Sequence, residues 1–202
     1  MRIKHTHLPF IKTVFHLFGL APLIILLLLI LSEQAGGEPV EYIIHYTGIG
    51  ALNSLVAVLL ISPLAKYFKQ GILMQTRRLV GLYVFAYATL HILAFISLDL
   101  LFDWGLLITE TVKRPYIILG AIAYFILILL TITSINRIKR KMAKNWQKLH
   151  NGIYLVAILV PVHFYWSVKS EIIEPTSYII GLFAILLMRL KWAKHRTNMT
   201  AK

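Results

Sequence analysis

The residues of this 202-residue chain with most chemistry to offer are histidines in apolar surroundings. His150 and His163 share one apolar stretch, NWQKLHNGIYLVAILVPVHFYWSVK, which begins at Asn145. A helix rises about 1.5 Å per residue, so thirteen positions put these imidazoles roughly 20 Å apart along the axis. His91 stands thirteen residues beyond Arg78, which predicts the depth of His163 on a second, parallel helix. Two neutral imidazoles at matched depth on neighbouring helices can clamp one haem iron from both sides. The alternative is a pair of buried, hydrogen-bonded histidines. Ala88 and Ala94 flank His91 at three residues either side, leaving that face thin enough for a flat macrocycle or for close helix packing.

The remaining candidates are less sharply defined. His150 finds no histidine at its own depth on the third span, where Arg77 stands instead, so an inner iron needs a second ligand from elsewhere or stays five-coordinate. His16 is a candidate for that ligand or for an interfacial hydrogen bond. His45, in EYIIHYTG, could line a quinone pocket or be a plain interfacial residue. Arg77 and Arg78 could pair with a haem propionate or a flavin phosphate. His5, His7 and His195 lie in solvated tails. Thirteen positions at 100° each also turn a helix by 220° after whole turns, so His150 and His163 should not share a face. Pro161 stands between them, and the kink it introduces could aim His163 into the bundle.

The elements that must position these groups are membrane spans. The chain is 58% hydrophobic with a mean hydropathy of +0.75, which a soluble domain of this size does not need. Six apolar segments stand out, at 11–31, 43–62, 79–98, 115–135, 150–168 and 177–192. Each is near the roughly 20 residues a spanning helix requires, and lipid leaves continuous helices as the only plausible form. The fold class expected is all-α: a polytopic bundle of six transmembrane helices, with 1–202 as a single domain. The run Val14–Leu31 is longer than the apolar core of a signal peptide and reads as an uncleaved first span. Of the 21 Lys and Arg, all but Lys113, Arg114 and Lys169 fall in the loops and tails on one side. All eight Asp and Glu fall on the other. The positive-inside rule then puts both termini in the cytoplasm.

Several chemistries are excluded. Without cysteine there are no disulfides, thiolate-ligated clusters or covalently attached haem. No carboxylate lies inside any of the six segments, which weighs against a proton relay or cation carrier. An imidazole with no carboxylate partner is more easily explained as a metal ligand. No Walker A sequence occurs, and TGIGALN at 47–53 lacks both the third glycine and the preceding strand of a dinucleotide fingerprint. Only ten residues follow Trp192, too few for a nucleotide domain, so electrons would come from a separate donor. The basic loop Arg137–Lys148 could dock a flavoprotein or acidic lipid, or simply carry the topology signal.

Four stretches together carry a resemblance: TRRLVGLYVFAYATLH ending at His91, WQKLHNGIYLVAILVPVHFYWSVK, SPLAKY at 62–67 and RPYIILG at 114–120. Taken in chain order they resemble the MsrQ (formerly YedZ) family, haem-binding membrane subunits of bacterial periplasmic methionine sulfoxide reductase systems. That family falls within the ferric reductase-like transmembrane group. The resemblance implies b-type haem, one or two per chain, held by His91, His163 and His150, with a bound FMN also attributed to the family. It implies electrons from the quinone pool or a cytosolic flavin reductase. They would leave to a periplasmic molybdopterin enzyme that repairs oxidised methionine, so this chain would be an electron-transfer rather than a catalytic subunit. The location implied is the bacterial inner membrane. The wider group has four histidines on its third and fifth spans; here Arg77 replaces the inner one of the third, which leaves the inner ligand set open. The acidic stretch Asp99–Glu110 is the expected partner surface. The rival readings are a stand-alone ferric or quinone reductase, and a small transporter or assembly factor whose histidines are structural.

Overall fold

The computed structural model describes residues 5–168 and 171–200, with side chains described as far as Lys191. The side chain of His195, like Arg2, Lys4, Lys169 and Lys202, lies outside the described residues. No strand occurs among the described residues. Six helical stretches are long and apolar enough to cross a membrane: His5–Leu31, Pro39–Tyr67, Gly71–Asp99, Tyr116–Thr133, Lys144–Ser167 and Ile173–Lys191. The protein is a multi-pass helical membrane protein.

Within these stretches the regular α-helices are α1 (Leu8–Leu31), α2 (Pro39–Tyr67), α3 (Arg77–Ala94), α4 (Trp104–Lys113), α5 (Tyr116–Thr133), α6 (Asn136–Met142), α7 (Lys144–His150), α8 (Gly152–Ser167) and α9 (Ile173–Thr200). Prolines open both α1 and α2, where a missing N–H costs nothing. Helix α3 passes into a π-helical turn at Phe95–Asp99. Leu101 and Phe102 then adopt left-handed backbone, with φ of 49° and 61°, which bulky residues enter only when their surroundings hold them there. Asp103 caps α4 by accepting from the Leu106 N–H at 2.9 Å. Trp104, Ile108 and Val112, spaced by four, line the exposed side of α4.

Two antiparallel pairs make the frame, α2 against α3 and α5 against α8; α3 meets α5 between them, and α9 closes against α8 and α2. The core they share includes Leu52, Leu55, Leu59, Val84, Leu127, Val156 and Leu182. Helix α1 lies outside, on α2 and α3, and buries only Leu26. Its leucines face where lipid would be.

A proline fixes how α9 docks. Pro63 sits inside α2 and has no N–H, so the carbonyl of Leu59 loses its donor four residues on. Leu59 is only 1% exposed, and an unpaired carbonyl there would be costly. Arg189 of α9 supplies the missing donor: its Nη1 reaches the Leu59 oxygen at 2.7 Å and its Nη2 the Tyr154 hydroxyl at 2.9 Å. In the sequence Arg189 reads only as part of a basic tail. In the fold it repairs α2.

This arrangement predicts a coupled pair of substitutions. Arg189→Leu should cost about 1–3 kcal/mol of stability, because it strands a buried carbonyl and a hydroxyl. The same change in a Pro63→Ala background should cost measurably less, since an alanine N–H returns a helical donor to the Leu59 carbonyl. Unfolding of the four proteins in mild detergent checks this; equal costs in both backgrounds would contradict it.

Candidate metal centre

The structure brings His91 of α3 and His163 of α8 together. Their ring centres are 6.2 Å apart and their planes nearly perpendicular, at 89°. Nδ1 of His91 lies 2.8 Å from the carbonyl oxygen of Ile44 in α2. Nδ1 of His163 lies 2.7 Å from that of Tyr116, at the start of α5. A carbonyl only accepts, so in each ring Nδ1 carries the proton and donates it. A neutral ring so fixed keeps its lone pair on Nε2, the state in which imidazole binds a metal.

Glycine makes these bonds possible. On a helix, a side chain covers the turn before its own Cα, so the residue four beyond a carbonyl overhangs it. The residue four beyond Ile44 is Gly48, and a Cβ there would lie 3.1 Å from His91 Nδ1. The residue four beyond Tyr116 is Gly120, and a Cβ there would lie 2.9 Å from both Nδ1 and Cε1 of His163. Each imidazole therefore reaches a backbone carbonyl through the space of a missing side chain. Carbonyl, glycine and histidine recur with the same separations in both helix pairs, His91 and His163 each lying 47 residues past their acceptor.

The donor set discriminates between metals and metallo-cofactors. Among the described residues no three of His, Asp and Glu converge, so a bare ion would be left short of ligands. Two imidazoles suffice when a macrocycle supplies the rest of the coordination sphere. With iron–nitrogen bonds of about 2 Å and ring centres about 1 Å further out, two in-line imidazoles have centres roughly 6 Å apart. The observed 6.2 Å fits. Ala88 packs against the core and Ala94 is buried, so both also serve helix packing.

His150 is placed differently. Its ring stacks on Trp146 with centres 4.0 Å apart, and its Nε2 lies 3.1 Å from the Thr133 hydroxyl. That hydroxyl gives its one proton to the Leu129 carbonyl at 2.6 Å, so His150 donates to it from Nε2. Trp146 Nε1 donates to the Thr133 carbonyl at 3.0 Å, and Lys139 Nζ sits 4.3 Å from the centre of the Trp146 ring. Both His150 and His163 thus meet α5, although an unbroken helix would turn them to different faces. The fifth span is instead two helices, α7 and α8, joined at Asn151, with Pro161 inside the second.

The other sequence candidates fall elsewhere. His16 shares a 2.8 Å hydrogen bond through Nδ1 with the Tyr83 hydroxyl, so its ring meets α3 rather than His150. His45 lies 3.6 Å from a carboxylate oxygen of Glu174, both half-exposed, and near the Phe164 ring. Arg77 is half-buried and interacts electrostatically with Arg189, Tyr154 and His150. Arg78 is exposed and reaches the Asn136 side chain at 3.4 Å. His5 contacts the Gln75 amide at 3.0 Å. Glu110, in the acidic stretch, pairs with Arg114 at 2.7 Å. Reading the sequence passes over the carbonyls of Ile44 and Tyr116, Gly48, Gly120, Thr133 and Trp146. The one signal it holds is a glycine 43 positions before each of two histidines.

The His150 network makes its own prediction. Thr133→Val keeps the shape of the side chain but leaves the His150 Nε2–H without its acceptor, at a cost of about 1–3 kcal/mol. Thr133→Ser should cost less than half as much, measured by unfolding in detergent. Equal stability of the valine and serine variants would contradict the hydrogen-bond assignment.

Comparison with known families gives one match. The model described as ferric reductase like transmembrane component matches residues 47–161. The matched region covers more than half of the chain and contains His91, His150 and Gly120; His163 follows two residues beyond it. The chain belongs to the ferric reductase-like transmembrane family.

Proposed function

We propose that this protein is a membrane electron-transfer subunit that holds b-type haem between His91 and His163. The observation that carries this reading is the paired Nδ1–H to carbonyl hydrogen bonds, which leave both Nε2 lone pairs free on two rings whose centres are 6.2 Å apart. Family membership supports a redox role in the membrane. When bound, haem supplies one-electron chemistry at the iron. The chain's part is to fix both imidazole tautomers, to bury the site among helices, and to keep carboxylates away from it.

The finer assignment rests on the four stretches that resemble the MsrQ family. On that reading the chain spans the bacterial inner membrane with both termini cytoplasmic. It takes electrons from the quinone pool or a cytosolic flavin reductase, with FMN as an intermediate carrier. It passes them to a periplasmic molybdopterin enzyme that reduces methionine sulfoxide in damaged proteins. His150, with Arg77 nearby, belongs to the electron-entry side as the candidate for a second haem or for the flavin, and Arg78 as a candidate partner of a propionate or phosphate. A stand-alone ferric or quinone reductase is separated from this reading by one experiment, electron delivery with and without the periplasmic enzyme.

The haem assignment is tested by counting haem per chain in detergent-purified protein, with reduced-minus-oxidised spectra. His91→Ala and His163→Ala should each remove the b-type signal of this site, and His150→Ala should retain it. Gly120→Ala should lower haem content several-fold without removing a ligand, because its methyl occupies the space of the His163 ring. A colourless wild type after haem-replete expression would sink the proposal.

A further inference from the structure

Helix α4 lies between two membrane stretches, and one of its faces is covered by nothing among the described residues. We propose that this face sits in the headgroup–acyl boundary of the adjoining leaflet, against zwitterionic phospholipid, so that α4 is an interfacial anchor and not a protein-docking loop. Only the multi-pass fold is needed for this; the electron-transfer reading is not.

The place of α4 follows from the chain. The third membrane stretch ends at Asp99 and the fourth begins at Tyr116. Leu100–Asp103 lead into α4, and Arg114 and Pro115 lead out of it, so both of its ends are tethered close to the membrane surface. Tyr116, at the near end of α5, meets His163, whereas Thr133 at the far end meets His150. The surface concerned is therefore the one away from His150. The entry turn is fixed by backbone bonds: Leu100 donates to the Phe95 carbonyl at 3.0 Å, Phe102 to Ile96 at 2.9 Å and Asp103 to Leu100 at 2.8 Å. It leaves the side chains of Leu101 and Phe102 exposed at the start of α4.

Rows of side chains divide α4 into three faces. Residues spaced by four drift about 40° per step, and rows one residue apart lie about 100° apart. Leu107, Glu110 and Thr111 are half-buried and mark the side that rests on α5. Trp104, Ile108 and Val112 form the next row, 62%, 67% and 78% exposed. Gly105, Thr109 and Lys113 form the row beyond it and are exposed as well. The order around the helix is bundle, apolar, polar. A helix lying in a membrane interface beside a bundle needs that order, with one side on protein, one in lipid and one in water. Trp104 at the head of the apolar row suits the same level, where indole rings gather.

Charge selects the occupant. No charged side chain falls in the apolar row, and Glu110 outside it is paired with Arg114 at 2.7 Å. Asp99, Asp103 and Glu110 against Lys113 and Arg114 leave the stretch without a positive balance to attract anionic headgroups. Apolar burial, not charge, holds the row. A protein partner would leave it in water whenever absent, at a cost proportional to the apolar area exposed, whereas the leaflet always adjoins it. Within the acidic stretch, a partner would then meet only the polar row of α4.

The chain has no cysteine, so nitroxide labels can be placed one at a time in the full chain, held in phosphatidylcholine nanodiscs. Labels at Ile108→Cys and Val112→Cys are compared with labels at Thr109→Cys and Lys113→Cys. Power-saturation EPR reads collision with oxygen, which concentrates in lipid, and with a nickel chelate, which stays in water. The first two labels should favour oxygen over nickel by about threefold or more relative to the second two. Replacing about a third of the lipid with phosphatidylglycerol should leave the contrast unchanged. In unlabelled protein, lipids brominated on the acyl chain should quench the fluorescence difference between wild type and Trp104→Phe, which keeps one readout independent of any cysteine variant. Labels at 108 and 112 that meet nickel as freely as those at 109 and 113 would overturn the proposal and leave the face open to a partner. Labels shielded from both reagents would overturn it by showing protein on the row, and a contrast seen only with phosphatidylglycerol would overturn the choice of lipid.

Discussion

A buried imidazole presents one fixed, aimed lone pair when its second nitrogen is hydrogen-bonded, and here backbone carbonyls hold that nitrogen twice. The bonds from His91 to Ile44 and from His163 to Tyr116 choose the tautomer and aim the ring, and each depends on a helix with no side chain in the way. Gly48 and Gly120 are therefore not merely close-packing residues. Corresponding acceptor, glycine and histidine are displaced by the same 72 positions, from 44, 48 and 91 to 116, 120 and 163. Each set lies on an antiparallel helix pair, α2 with α3 and α5 with α8. The two halves of the centre are thus built by one local design used twice, which explains why the rings meet at matched depth.

The halves do not match at the other end of the bundle. Thirteen residues before His163 stands His150, tied to Thr133 and stacked on Trp146; thirteen before His91 stands exposed Arg78. The end that holds His150 also holds Arg77, Arg189 and Lys139, and the acids of the chain lie towards the opposite end. Arg189 is drawn into the fold by the carbonyl that Pro63 strands in α2. The asymmetry suits a conduit with chemically different ends, one cationic and one acidic.

Much of the fold is legible in the sequence because lipid allows so few solutions. Hydropathy locates six spans, and all six appear, with α2 running on past Pro63 to Tyr67 because Arg189 satisfies the freed carbonyl. Helix α4 is too short and amphipathic for a spanning pattern, although Asp103 marks its start. The His91–His163 pair is legible from depth alone, since both lie thirteen residues inside basic flanks. Their acceptors are not, because a hydrogen bond to a neighbouring helix depends on which helices pack together, and no single-helix pattern records that. The same limit hid Thr133 from His150 and Tyr83 from His16. Helical phase alone was no guide for a related reason: His150 and His163 reach the two opposite ends of α5, at Thr133 and Tyr116, which depends on how the helices pack.

Low-temperature EPR of the oxidised, purified protein tests the central claim most directly. If His91 and His163 hold one ferric iron through Nε2 with near-perpendicular rings, the spectrum will show a strongly anisotropic low-spin signal. Absence of this low-spin signal in a wild type that holds haem, with only a high-spin axial signal left, would contradict the account.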